Sequence, residues 1–159
     1  MRMEWIFWAM LLAAIAHVLE EYFGGFLEQM GKIVPGVTVT QFVVINALFL
    51  LICLAGALAP PGYLVFAMSI PALLAVNAFI HIGAAIRLRG YAAGLVTALV
   101  FYLPLPAYAY YRFTTDGTLA LEGVILSVAL GAFWMLVPLL YQGARLASAG
   151  MLSRKNIRF

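Results

Sequence analysis

The segment His17-Val18-Leu19-Glu20-Glu21 sets an imidazole and two carboxylates inside an apolar stretch long enough to cross a membrane. A second polar pair, Asn77 and His81, interrupts another such stretch. Ionisable groups at bilayer depth are costly, face a bundle interior rather than lipid, and mark functional sites by default. Two histidines with one or two carboxylates form a donor set for zinc, iron or manganese. A catalytic zinc takes three protein ligands and leaves a fourth position for water. On a helix, positions i+3 and i+4 flank position i on one face. Glu20 and Glu21 therefore lie on either side of the His17 direction, diverging from each other by about 100°.

This spacing has a loose parallel in the H-x-x-E-H arrangement of the inverzincins, with a glutamate here in place of the second histidine. By that analogy His17 and Glu21 are metal ligands, His81 is the third ligand, and Glu20 is the general base. Asn77 would orient a ligand or polarise a carbonyl. Asn46 and Thr97 are further candidates for orienting a ligand, although Asn46 also reads as packing and Thr97 as a residue bonded back to its own helix. The expected cofactor is a divalent metal, zinc ahead of iron or manganese. A di-iron site is less well supplied, because it needs two Glu-x-x-His units and further carboxylates. A metal-free acid–base site of the isomerase type and a purely structural histidine pair are the other readings of these residues.

The elements that must position these groups are apolar helices. The chain has 159 residues, 66% hydrophobic and only 9% charged, with a mean hydropathy of +1.07. A soluble globular domain is about 25% charged, so the composition implies an integral membrane protein forming a single domain over residues 1–159. Its fold class is all-α. Five stretches are long enough to span a bilayer core, near 4–24, 41–59, 63–86, 91–111 and 119–142. Gly24-Gly25, Pro60-Pro61-Gly62, Arg87 to Gly90, and Thr115-Asp116-Gly117 break them. The first stretch reads as a retained span rather than a signal peptide, because its flank offers only Arg2, offset by Glu4. The loop 25–40 is the longest connection, with room for a short interfacial helix before an extended approach through Val37-Thr38-Val39-Thr40. Cys53 reads as a small core residue. Pro71 and Pro138 are expected to kink their spans.

Loop charge sets the direction of insertion. Lys32, Arg87, Arg89, Arg145, Arg154, Lys155 and Arg158 collect on one side, against Arg2 and Arg112 on the other. The N-terminus is therefore expected outside and the C-terminus in the cytoplasm, with the chain a multi-pass protein of the inner membrane. The net charge of +3 comes mostly from the tail, which suits anionic lipid headgroups better than nucleic acid. At a helix rise of about 1.5 Å per residue, His17, Asn46, His81 and Thr97 all fall roughly 7–10 Å from the cytoplasmic ends of their spans, with Asn77 about a turn deeper. That shared depth implies one pocket.

His17-Val18-Leu19-Glu20-Glu21 near the N-terminus, followed by Asn77-Ala78-Phe79-Ile80-His81, resembles the HXXEE-domain family of small integral membrane proteins. The resemblance extends from the first span to the fifth. It implies that His17, Glu20, Glu21, Asn77 and His81 are the site residues, and it supplies no substrate. The function expected from these residues is a metal-dependent membrane hydrolase acting on a lipid or other apolar small molecule near the cytoplasmic leaflet. A proton-coupled small transporter is the principal rival, since intramembrane Glu and His also build proton relays.

Overall fold

In hydrocarbon, backbone polar groups must be satisfied within their own segment, so apolar runs become helices and end where glycine or proline interrupts them. The computed structural model describes residues 5–33 and 36–156. Arg2, Glu4, Pro35 and Arg158, which entered the charge and loop expectations, lie outside the described residues, as do the side chains of Arg154 and Lys155. Every regular element among the described residues is a helix, with no strand. Helix α1 spans Trp5–Phe23, α2 Phe26–Gly31, α3 Val39–Leu58 and α4 Leu64–Leu88. Helix α5 is the short Leu95–Thr97, α6 spans Pro104–Thr115 and α7 Leu121–Asn156. Four helical stretches are long and apolar enough to cross a membrane: Trp5–Phe23, Val39–Leu58, Pro61–Leu88 and Leu121–Arg145.

The expected fourth span, 91–111, is built differently. Tyr91 to Gly94 is not helical, α5 is a single turn, and a π-helical turn, Ala98–Tyr102, joins it through Leu103 to α6. Pro104 and Pro106 explain the break. Each lacks the N–H that would bond a carbonyl one turn back, and a wider turn is one way to re-satisfy the freed carbonyls. The approach to α3 also departs from the extended reading. Thr38 is the N-cap, its hydroxyl accepting from the Gln41 amide at 3.2 Å while the Gln41 side chain accepts from the Thr38 amide at 3.0 Å. This reciprocal box satisfies two donors that a helix start otherwise leaves open, and it puts Val39 and Thr40 inside the helix. The 25–40 loop does hold a short helix, α2, which Gly25 introduces with a φ of 75°.

Helix α4 is the axis of the molecule. Its stretch from Ala67 to Leu74 is wholly buried, and its packing against α7 is the most extensive between any two helices. Close approach at that crossing depends on Gly131. A methyl group there would sit 2.5 Å from Ala72 Cβ and 2.6 Å from the Ser69 carbonyl oxygen. The core joins Met10 and Ala14 of α1, Cys53 of α3, Met68 and Leu74 of α4, and Tyr102 of the π turn. Its consequence for function lies at one end of the bundle, where α1 and α4 finish and α5 begins.

Candidate functional site

Three helices deliver the polar groups to that end. His17 and Glu21 come from the last turns of α1, His81 from α4 two turns before its C-terminus, and Thr97 from α5. The i to i+4 spacing brings Glu21 back to His17, with Oε1 3.6 Å from His17 Nε2. The same oxygen lies 3.3 Å from His81 Nε2, and the two imidazole Nε2 atoms are 3.2 Å apart. The three atoms form a nearly equilateral triangle. His17, Glu21 and His81 are 1%, 5% and 3% exposed, so water does little to stabilise the carboxylate. A carboxylate buried to this degree needs hydrogen-bond donors, a proton of its own or a bound cation to offset its lost hydration. These are also the residues among those described whose donor atoms come close enough to hold one ion, all within 4.8 Å of one another.

The turn before α5 closes directly on the two rings, and a missing side chain lets it do so. Gly94, in the turn before α5, has a φ of +92°, and a methyl group on it would lie 2.6 Å from His81 Cε1 and 2.7 Å from His17 Cε1. Only glycine combines that backbone conformation with so close an approach to both rings. Tyr102 packs on the other side of His17, ring centroids 4.5 Å apart. It is fully buried, and its hydroxyl has no hydrogen-bond partner among the described residues. Phe26 of α2 approaches the His81 ring, with centroids 6.2 Å apart.

Glu20 faces away from the triangle. Its Oε1 accepts from the Tyr91 hydroxyl at 2.7 Å and from the Val96 amide at 3.0 Å. Its Oε2 accepts from the Thr97 amide at 2.7 Å and from the Thr97 hydroxyl at 2.5 Å. One carboxylate from α1 thus satisfies the amides that open α5, which a helix start cannot satisfy by itself. Expected as a general base, Glu20 has both oxygens engaged by α5 and its preceding turn. The Thr97 hydroxyl oxygen in turn lies 2.8 Å from His17 Nδ1. Gln29 closes the same corner, donating to the Gly24 carbonyl at 3.1 Å and accepting from the Ala93 amide at 2.8 Å.

The two asparagines are placed apart from this network. Asn46 donates to the Phe42 carbonyl of its own helix at 3.1 Å, so its amide serves α3 rather than the triangle. Asn77 stands one turn before His81, and its buried Oδ1 has no hydrogen-bond partner among the described residues. Thr97 does bond back to its own chain, at 3.2 Å from the Gly94 carbonyl, yet its shorter contacts run to Glu20 and His17. Sequence reasoning missed Tyr91, Gln29 and Tyr102, which no motif marked. Gly94 has no side chain that a motif of polar groups could have marked.

No curated protein and no solved structure matches the chain. The family described as "Protein of unknown function with HXXEE motif" matches residues 8–109, which run from the first turn of α1 to the middle of α6 and take in every residue of the triangle and of the Glu20 network. Matched over more than half its length, and carrying both the motif and the histidine that closes on it, this chain belongs to the HXXEE family.

Proposed function

We propose that this protein is a membrane-embedded, metal-dependent hydrolase whose centre is the triangle of His17, Glu21 and His81. The observation that carries the reading is the size of the triangle. Tetrahedral zinc with bonds of about 2.0–2.2 Å holds its ligand atoms roughly 3.3–3.6 Å apart. The three edges here are 3.2, 3.3 and 3.6 Å. Neighbouring ligands of an octahedral ion with similar bonds lie nearer about 3 Å. The edges suit one small divalent ion of either geometry; we propose zinc, although a two-histidine, one-carboxylate set also suits iron(II). Three protein ligands leave one position for water, and a bound water of lowered pKa is the nucleophile for hydrolysis. Asn77 Oδ1 and the Tyr102 hydroxyl, both buried and without partners among the described residues, are available to a substrate. Glu20 drops out as the base in this reading, since its oxygens are already engaged.

The substrate we propose is a lipid or other apolar molecule reaching the centre between helices. The apolar helices and the burial of the triangle support that choice. In the proposed topology the helical pieces from Leu95 to Thr115 make a fifth crossing, the N-terminus is outside, and the site lies towards the cytoplasmic leaflet of the inner membrane. The placement of Lys32, Arg87, Arg89 and Arg145 at the site end supports this direction. Hydroxyls at the opposite end are hydrogen-bonded into the helices, which favours a one-ended pocket over a pathway through the bilayer. Metal analysis of the purified protein tests the centre. About one zinc per chain is expected, lost in His17→Ala and His81→Ala. Wild type that neither retains nor takes up a divalent metal would overturn the reading. Comparing the lipids of cells with and without the protein tests the substrate class, and an unchanged lipid profile on overproduction would count against it.

A further inference from the structure

A neutral imidazole is a ligand only through the nitrogen that lacks a proton, so a histidine centre needs its tautomers set before the metal arrives. For His17 the protons can be followed one at a time. The Glu20 carboxylate only accepts. The Thr97 hydroxyl has one proton, and its oxygen is 2.5 Å from Glu20 Oε2 against 3.2 Å from the Gly94 carbonyl. The proton therefore goes to Glu20. What the Thr97 oxygen then presents to His17 Nδ1, 2.8 Å away, is a lone pair. Nδ1 must carry the imidazole proton, which leaves Nε2 bare at the corner of the triangle shared with His81 and Glu21.

We infer that Glu20 and Thr97 are positioning residues that hold His17 as its Nδ1–H tautomer and aim the Nε2 lone pair at the metal position. The inference rests on the metal reading above and gives each of the two adjacent glutamates of the motif its own role. Glu21 faces the ion. Glu20, about 100° round the helix, works through α5. It bonds both the amide and the hydroxyl of Thr97, so the backbone that carries the hydroxyl and the proton on that hydroxyl are set by one group. Tyr91 and the Val96 amide hold the other carboxylate oxygen, preventing Glu20 from rotating away. A hydroxyl between carboxylate and imidazole does here what a directly bonded carboxylate does in other metal centres.

The experiment uses full-length protein in detergent, labelled with 15N at histidine, metal-free, at a pH where both imidazoles are neutral. The His81→Gln variant assigns the His17 signals. Two-bond 15N–1H correlation spectra of wild type should show His17 protonated on Nδ1 and bare on Nε2. Thr97→Val, close in shape but unable to accept, should release the tautomer to a mixture or to Nε2–H. Thr97→Ser should restore the wild-type pattern. Zinc titration gives the second readout: Thr97→Val weakens zinc about 10- to 100-fold, the usual loss for an outer hydrogen-bond partner, and Thr97→Ser recovers it. A thermal unfolding curve shows whether Thr97→Val remains folded. If it does not, the wild-type and Thr97→Ser spectra still decide the tautomer. Wild-type His17 found as Nε2–H, or a folded Thr97→Val with the tautomer and zinc affinity of wild type, overturns the inference. Wild type that takes up no zinc defeats the metal reading alone, because the tautomer is measured without metal.

Discussion

Two groups of buried polar side chains lie in this bundle, and they are assembled on different principles. Between α4, α6 and α7, the Tyr110 hydroxyl donates to the Met68 carbonyl at 3.0 Å and lies 2.9 Å from Ser127 Oγ. Ser127 reaches the Val124 carbonyl at 2.9 Å, and Ser69 the Phe66 carbonyl at 2.7 Å. Every group there is a neutral hydroxyl with a backbone carbonyl in reach. At the ends of α1 and α4 the groups are ionisable, and His17, Glu21 and His81 turn their nitrogen and oxygen atoms on one another. Each of these hydroxyls has a backbone carbonyl on which to place its proton, so its burial says nothing about a ligand. Two imidazoles and a carboxylate turned on one another can share protons among themselves or, in the function proposed above, hold a cation. Burial of polarity therefore separates nothing in this protein, whereas the direction of the lone pairs does.

Gly94→Ala should separate the two groups most sharply. Its methyl group would meet both imidazoles while adopting a φ of +92°, a combination of overpacking and strain costing about 2–4 kcal/mol. Zinc binding should disappear and the unfolding temperature should fall. Retained zinc affinity would show that the rings are not held as described. Gly131→Val comes next. It forces apart the backbones of α4 and α7 at Ser69 and Ala72 and should cost about 2 kcal/mol or more, measured by unfolding in detergent. Zinc affinity of the folded fraction should be unchanged, because the crossing touches none of the ligands.

Tyr110→Phe removes the centre of the hydroxyl knot and should cost only about 0.6 kcal/mol, the usual scale for a hydrogen bond between membrane helices, with no effect on zinc. A loss of metal binding there would erase the distinction between the two groups. The smallest effect is expected at the α6–α7 turn, where the exposed Asp116 pairs with Arg112. The Thr118 hydroxyl, then its amide, holds the Asp116 carboxyl below the usual carboxylate range, and Arg112 adds less. Because the folded pKa is lowered, this stabilisation is complete above the ordinary carboxylate pKa and fades as pH falls through the lowered value. Asp116→Asn should melt slightly below wild type at neutral pH, the smallest shift of the series, and the difference should close as pH falls.

The helical class, the breaks at Gly24-Gly25 and Pro60-Pro61, and the pairing of His17 with Glu21 were all legible in the chain. Their causes are local. Hydrocarbon forces internal hydrogen bonding, glycine and proline end helices, and the i to i+4 spacing stacks two side chains on one face. The break between Tyr91 and α6 was less legible. Its composition is as apolar as that of a span, and Pro104 and Pro106 act on hydrogen bonds several residues earlier. Asn46 showed the limit of a depth argument: it shares a level with the histidines, yet its amide bonds to Phe42 on α3 itself.

What the amino-acid order determined by itself was that two glutamates follow His17 and point about 100° apart. Which one meets the second histidine was decided only by how α4 and α5 pack against the α1 terminus. The same packing gave Thr97 and Gly94 their roles, one lending an oxygen to His17 and the other yielding room for both rings. Helical periodicity fixes an angle around one axis, and a site is made of several axes, whose mutual rotation depends on contacts between residues as far apart as 20 and 97.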